Sequence, residues 1–569
     1  MAARVLLPHP FKILPAATWR GRRPDNVRRW AIAGASALAF GALFASAIPA
    51  EAQSADPLVR ITNGSPFNGC SADDVAKQEQ SIGSTLYQNT AIEPWVAIDP
   101  SDPQRLLVGH QQDRWSDGGS RGLVGNVSSD GGSTWAVTTP SGVSECTGGP
   151  WVRASDPWVT FSPDGTAYFF SLTLDPSRAF QFGVTAGAML VSRSTDHAQS
   201  WGEPITLIED HANALNDKNS ITADPTDSDF VYAVWDRLVL GARGAPPSAA
   251  PKFIGDGVAM ARDRLQRGTG GAQPTDPSRG PTVFARTANG GDSWESPRII
   301  YDPGVNAQTI NNQVVVLPEG DVLDFFTNLV FRTGAVHIGY VRSTDKGATF
   351  NPAATFATDI QVVQVVTPDT LALVRDASIL FSVTVDPASG ALYLAWQDCR
   401  FEPNTCASDT PVDAIAFSQS RDGGVHWSTP VMINKTPQNL ANPLRQQAFI
   451  PAVVAAGDGT IVVTYYDFRN DVSTANTELA DFFAVFCTPV TPTHCTDPAN
   501  WGNELRLSDR TSFNMLDAPV AGGHFLGDYM GLVASGLDVW PVFGMTTGPN
   551  LTADFTRKIT LSTPAVAVK

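Results

Sequence analysis

The chain has 569 residues, of which 43% are hydrophobic and 17% charged, so a folded globular protein is expected rather than a disordered one. Its formal charge is −17, and the 32 basic and 54 acidic residues that follow position 52 give −22. That balance excludes nucleic acid and anionic membrane as natural partners, and no run of Lys and Arg interrupts it after position 52.

Residues 1–52 read as an export signal. Arg20, Arg22, Arg23, Arg28 and Arg29 precede an apolar run from Trp30 to Ile48, and Ala50-Glu51-Ala52 offers a cleavage site. An uncleaved anchor is the alternative, since the run is long enough to span a bilayer. No later stretch is, so a secreted, extracellular or periplasmic protein is expected, free of the membrane once the signal is removed. Export permits disulfides, and six cysteines follow the signal. Spacing suggests Cys399 with Cys406 and Cys487 with Cys495, leaving Cys70 with Cys146, although fifteen connectivities are formally open.

From residue 93 onward an acidic or amide residue repeatedly leads into paired β-rich runs. The seven openings are Glu93, Asp156, Asp217, Asn312, Asp376, Gln447 and Asp528. Most are followed by a second recurring segment. It reads Ser128-Ser129-Asp130-Gly131-Gly132-Ser133-Thr134-Trp135 first, then returns at 194–201, 287–294, 343–350 and 420–427, with a worn copy at 495–501. The Asp or Asn side chain can accept backbone N–H bonds across a turn, Gly supplies positive φ, and the aromatic plugs the sheet, so each copy predicts a hairpin. An inner and an outer hairpin give four strands per unit. The seventh unit lacks a fourth strand, which Leu58-Val59-Arg60-Ile61-Thr62 can supply to close a ring. Four short strands repeated radially predict an all-β chain, a single seven-bladed β-propeller over 53–569. Acid–Arg pairs at 236–237, 398–400 and 467–469 are expected to tie neighbouring blades.

The eight-residue pattern is the Asp-box, and the chain resembles the sialidase-like (BNR/Asp-box) propellers, whose classical sialidases have six blades. The resemblance implies a secreted glycoside hydrolase that acts at the channel mouth. Gln112-Asp113-Arg114-Trp115-Ser116-Asp117 looks like the segment carrying an arginine and the loop acid, and Asp528-Tyr529-Met530-Gly531-Leu532 is similar to the nucleophile strand. Where the activating Glu of that family should stand, this chain has Asn311-Asn312-Gln313, and no third arginine is evident. The expected catalytic residues are therefore Tyr529, Asp117, Glu93 and Asp528. Arg114, Asp156, Asp217, Asn312 and Gln447 are expected to hold substrate, with Trp95, Trp158 and Trp115 either stacking on sugar rings or packing between blades.

A carbohydrate substrate and a monomer are expected, with no cofactor and no metal-binding residue in the site. A structural calcium ion in the acidic loop Asp224–Asp229 is the one ion considered. A glycan- or protein-binding propeller without turnover and a polysaccharide lyase are the competing functions.

Overall fold

Strand pairing in the computed structural model follows the chain in repeating order, and among the described residues the helical turns between strands are short 3-10 turns. The structure describes residues 53–70, 83–176, 186–211, 214–239, 279–402, 406, 410–472, 474 and 476–562, so residues 1–52, where an export signal is expected, lie outside the described residues. Within them, no helix is long and apolar enough to cross a membrane.

Among the described residues, the strands group into seven antiparallel four-stranded meanders. The first strands are Leu86–Ile98, Arg153–Phe161, Ala214–Ala223, Ala307–Val316, Phe381–Val385, Ala448–Ala455 and Gly531–Ser535. Each adjoins the next, and the seventh returns to the first, which is the closed cycle of a β-propeller. The fourth strand of the last unit comes from the other end of the chain. Val59 pairs with Thr556 and Arg60 with Phe555. The third strand there is Leu551–Thr556, and Ile559 and Thr560 beyond it pair with Ala55 and Ser54. Closure is apolar as well as hydrogen-bonded, because Ile61 packs against Val96, Val108, Trp540 and Val542.

The five clear octapeptides sit on the hairpin between the third and fourth strands of their units. In the first, Asp130 accepts from Thr134 N at 2.8 Å and Thr134 Oγ1 at 2.6 Å, and Ser128 Oγ accepts from Gly132 N at 2.9 Å. Asp345 makes the same bonds to Thr349, which hold its carboxyl down at about 2. Gly131 and Gly132 adopt φ of 68° and 87°, but His197 and Ala198 take φ of 58° and 65° at the matching positions of the second copy. The turn is therefore set by the Asp and Ser bonds as much as by glycine.

Disulfides join Cys70–Cys146, Cys399–Cys406 and Cys487–Cys495. The last staples the worn sixth hairpin, where Trp501 Nε1 donates to Cys495 O at 2.9 Å. Of the acid–Arg pairs, Arg237 reaches Asp210 and Arg400 reaches the Asp359 backbone, both in the preceding unit. Arg469 instead stays inside its own unit, on Asp467 and Glu504.

Candidate functional site at the hub

A bulge recurs in five of the first strands. Register skips between Ile92 and Trp95, Ser155 and Trp158, Asp217 and Ser220, Ile310 and Gln313, and Phe449 and Ala452. In each skip one residue takes a left-handed conformation: Glu93, Asp156, Lys218, Asn311 and Ile450, with φ between 42° and 64°. Ala377, at φ 47°, sits just ahead of the fifth first strand. Such conformations are strained for side-chain-bearing residues and re-aim the strand locally.

The bulge residues of the first three units meet. Lys218 Nζ lies 2.8 Å from Asp528 Oδ2, 3.1 Å from Asp156 Oδ1 and 3.6 Å from Glu93 Oε1. Arg375 binds both oxygens of Asp528 through one guanidinium edge, with Nε donating to Oδ1 at 2.8 Å and Nη2 donating to Oδ2. Asp528 N donates to Glu93 Oε1 at 3.1 Å, and the Gln111 amide donates to the other oxygen of Glu93. Arg114 Nη1 donates to Gln111 Oε1 at 2.9 Å, and its charge acts on Glu93. Arg114 and Arg375 both stack on the Phe525 ring. Asp217 donates a side-chain hydrogen bond to Asp156. All of these charged groups are buried. Backbone contact explains Gly527, since a Cβ there would stand 2.9 Å from both N and Cα of Glu93.

Burial and charge divide the protons unequally. Glu93 is pushed up to about 8, first by burial and then by the charges of Asp528 and Asp156, against the pull of Lys218. Burial also opposes ionisation of Asp528, but Arg375 and then Lys218 overcome it and hold that carboxyl well below its ordinary value. Asp156 is likewise lowered, because Lys218 and the Asp217 hydrogen bond outweigh burial. Asp217 is raised, chiefly by burial. Lys218 stays charged: burial alone would lower it, and Asp156, Asp528 and Glu93 raise it.

Below this layer, Trp95 and Trp158 stack with centroids 3.4 Å apart, and Tyr529 meets both edge-on. Their faces are used on each other. The Tyr529 hydroxyl donates to Pro157 O at 3.3 Å, and burial together with Glu93 and Asp156 raises it well above its ordinary value. A cavity of about 20 Å³ adjoins Tyr529, Asp528, Asp376, Asn311 and Ile450. Such a volume suits a water molecule and is too small for a sugar ring.

The structure thus brings Glu93, Asp156, Asp217, Asp528 and Tyr529 together, with Arg114 one amide away. Three other expected site residues stand elsewhere. Asp117 pairs with Arg153 at 2.7 Å and with Ser84, beyond the start of the first strand and roughly 20 Å along it from Glu93. Asn312, the neighbour of the bulge residue, points into the sheet between Thr282, Asp324 and the Asp236 backbone. Gln447 pins a loop through Val366 N and O. Lys218 and Arg375 are cations, and the pattern of an acid or amide opening each unit does not select them. Aligning the runs on the recurrent bulge, as at Glu93-Pro94-Trp95, Asp156-Pro157-Trp158 and Ile450-Pro451-Ala452, would have selected Lys218 in place of Asp217.

Cation positions are filled by the protein. In the loop considered for calcium, Lys346 Nζ lies on Asp227 and 3.7 Å from Asp224. Among the described residues, Asp369, Asp471 and Glu478 form a group with metal-ligand spacing. Arg445 lies 3.0 Å from both aspartates, and the backbone N–H groups of Asp369 and Thr370 bond Glu478.

No protein-family model matches the chain, and no curated protein matches it. Solved structures with similar folds include a protein of unknown function from Dyadobacter fermentans, 13% identical over 83% of this chain and 95% of that one, at TM-score 0.40. An α-L-arabinofuranosidase of Fusarium graminearum is 11% identical over 89% and 97%, also at 0.40. A Hadza microbial sialidase is 13% identical over 79% and 75%, again at 0.40. Likeness at this level carries no argument about chemistry, which rests on the hub residues.

Proposed function

We propose that the chain is an exported, seven-bladed propeller that hydrolyses glycosidic bonds at its hub, with Glu93 as the proton donor. The observation that supports this is the division of protons around Lys218. One carboxyl keeps its proton at neutral pH while another, bonded to the first through its own backbone N–H, is held ionised. Carboxyls whose surroundings push them apart in this way suit acid catalysis beside a cationic transition state. In this reading the hub opens to admit the sugar, Glu93 gives its proton to the glycosidic oxygen, and the C–O electron pair leaves with the aglycone. Asp528 and Asp156 face the positive charge that develops at the anomeric carbon. Water supplies the hydroxyl that completes the sugar, and its second proton returns to Glu93. Tyr529, with its hydroxyl on Pro157 O and no carboxylate within hydrogen-bonding reach among the described residues, positions the tryptophan pair. Three disulfides suit the oxidising compartment that export implies.

The test is release of a chromophore from a panel of aryl glycosides by the chain lacking residues 1–52. Glu93→Gln should lower kcat about a hundredfold or more, the usual contribution of a general acid. Equal turnover by that variant would remove Glu93 from the mechanism.

The 20 Å³ cavity supports a second reading, a glycan- or protein-binding propeller without turnover whose buried charges lock the units together. Under it every glycoside stays intact, and hub substitutions change only stability.

A further inference from the structure

Far from the hub, on the rim between the sixth and seventh units, Arg506, Arg510 and Arg557 line one open groove of about 510 Å³. The sequence shows no basic run here. Arg506 ends the fourth strand of unit six, Arg510 follows in the next loop, and Arg557 leaves the third strand of unit seven. The cluster exists only because the ring closes beside the strand Ser54–Ala55.

The three arginines are not equally committed. Arg506 is bound to Asp481 through Nε at 2.9 Å and Nη2 at 2.6 Å. Arg510 is exposed and makes no ion pair with the described residues. Arg557 is half-buried, and its Nε is shielded from solvent without a hydrogen-bond partner among them. Two guanidinium forks therefore converge on one groove in a chain whose net charge is strongly negative. A planar carboxylate is the anion such forks bind best.

The rest of the lining narrows the ligand. The buried Ser508 hydroxyl donates to Asp481 at 2.7 Å, whereas Asp56 and Asp509 contribute carboxylates. Those acids accept hydrogen bonds from neutral hydroxyls and repel a densely charged polyanion. We propose that this groove binds an acidic saccharide, its uronate carboxylate held by Arg510 and Arg557 and its ring hydroxyls by Asp56 and Asp509. The site is independent of any chemistry at the hub.

Trigalacturonate, titrated calorimetrically into the chain lacking residues 1–52, tests this. Binding in the millimolar range or tighter is expected, weakening as salt rises. Arg510→Ala with Arg557→Ala should weaken it about tenfold or more, the worth of charge-assisted hydrogen bonds. The fully methyl-esterified trisaccharide should not compete. Absence of binding by the wild-type chain, equal binding of the methyl ester, or unchanged affinity in the double variant would each overturn the proposal. Should Arg557→Ala lower the thermal midpoint, Arg510→Ala alone carries the test, since that side chain is exposed.

Discussion

Lys218 of the third unit and Asp528 of the seventh stand 2.8 Å apart across the hub, both buried. The same ammonium touches Asp156 of the second unit, so one side chain neutralises acids contributed by separate parts of the ring.

Removing that ammonium should be costly. Lys218→Met leaves Asp156 and Asp528 buried with one fewer counter-charge, and a loss of about 3 kcal/mol or more in unfolding free energy is expected. Lys346→Met, which removes a half-exposed partner of Asp227, should cost under about 1 kcal/mol. Denaturant titration of both variants checks the contrast; similar losses would mean that the hub charges do not hold the ring.

Stability should fall as pH rises from about 4.5 to about 8. Glu93 keeps its proton to about 8 when folded against 4.5 when free, so over that window the folded chain binds more protons than the unfolded one. The lowered carboxyls of Asp528 and Asp156 act oppositely, and their contribution is lost as pH drops below 3.8. Glu93→Gln should lessen the decline between pH 4.5 and 8, leaving the part that belongs to other raised carboxyls such as Asp217 and Asp467, and keep the acid limb in place. Thermal midpoints at intervals across the range measure this, and an unchanged slope in the variant would assign the decline to another group.

Ring closure should depend on the N-terminal strand more than its two paired residues suggest. Ile61, 2% exposed, fills the seam between the first and last units, and Ile61→Ala should cost about 2–5 kcal/mol. Limited proteolysis should then cut first near residues 53–62. Protection equal to wild type would show that the last unit holds without that strand.

The disulfides should contribute unequally. Cys70–Cys146 spans 76 residues, and the other two span 7 and 8. If a bridge acts by restricting the unfolded chain, removing the long one costs about 2 kcal/mol more than removing either short one. Paired Cys→Ser variants compared by denaturant midpoint decide the point.

Sequence alone determined the repeating unit, because hairpin chemistry is local. Ser128, Asp130 and Thr134 make their turn within a few residues, so the pattern could be read without any distant partner. The missing fourth strand was legible too, since a unit one strand short leaves an unpaired edge that Val59 and Arg60 fill. The hub and the rim groove were decided only by the fold. The bulge in the third unit decides that Lys218 rather than its neighbour Asp217 reaches Asp528, and so sets the sign of the charge delivered there. Arg510 and Arg557, separated in sequence, share a groove because the ring closes between them, and no local spacing encodes where a ring closes.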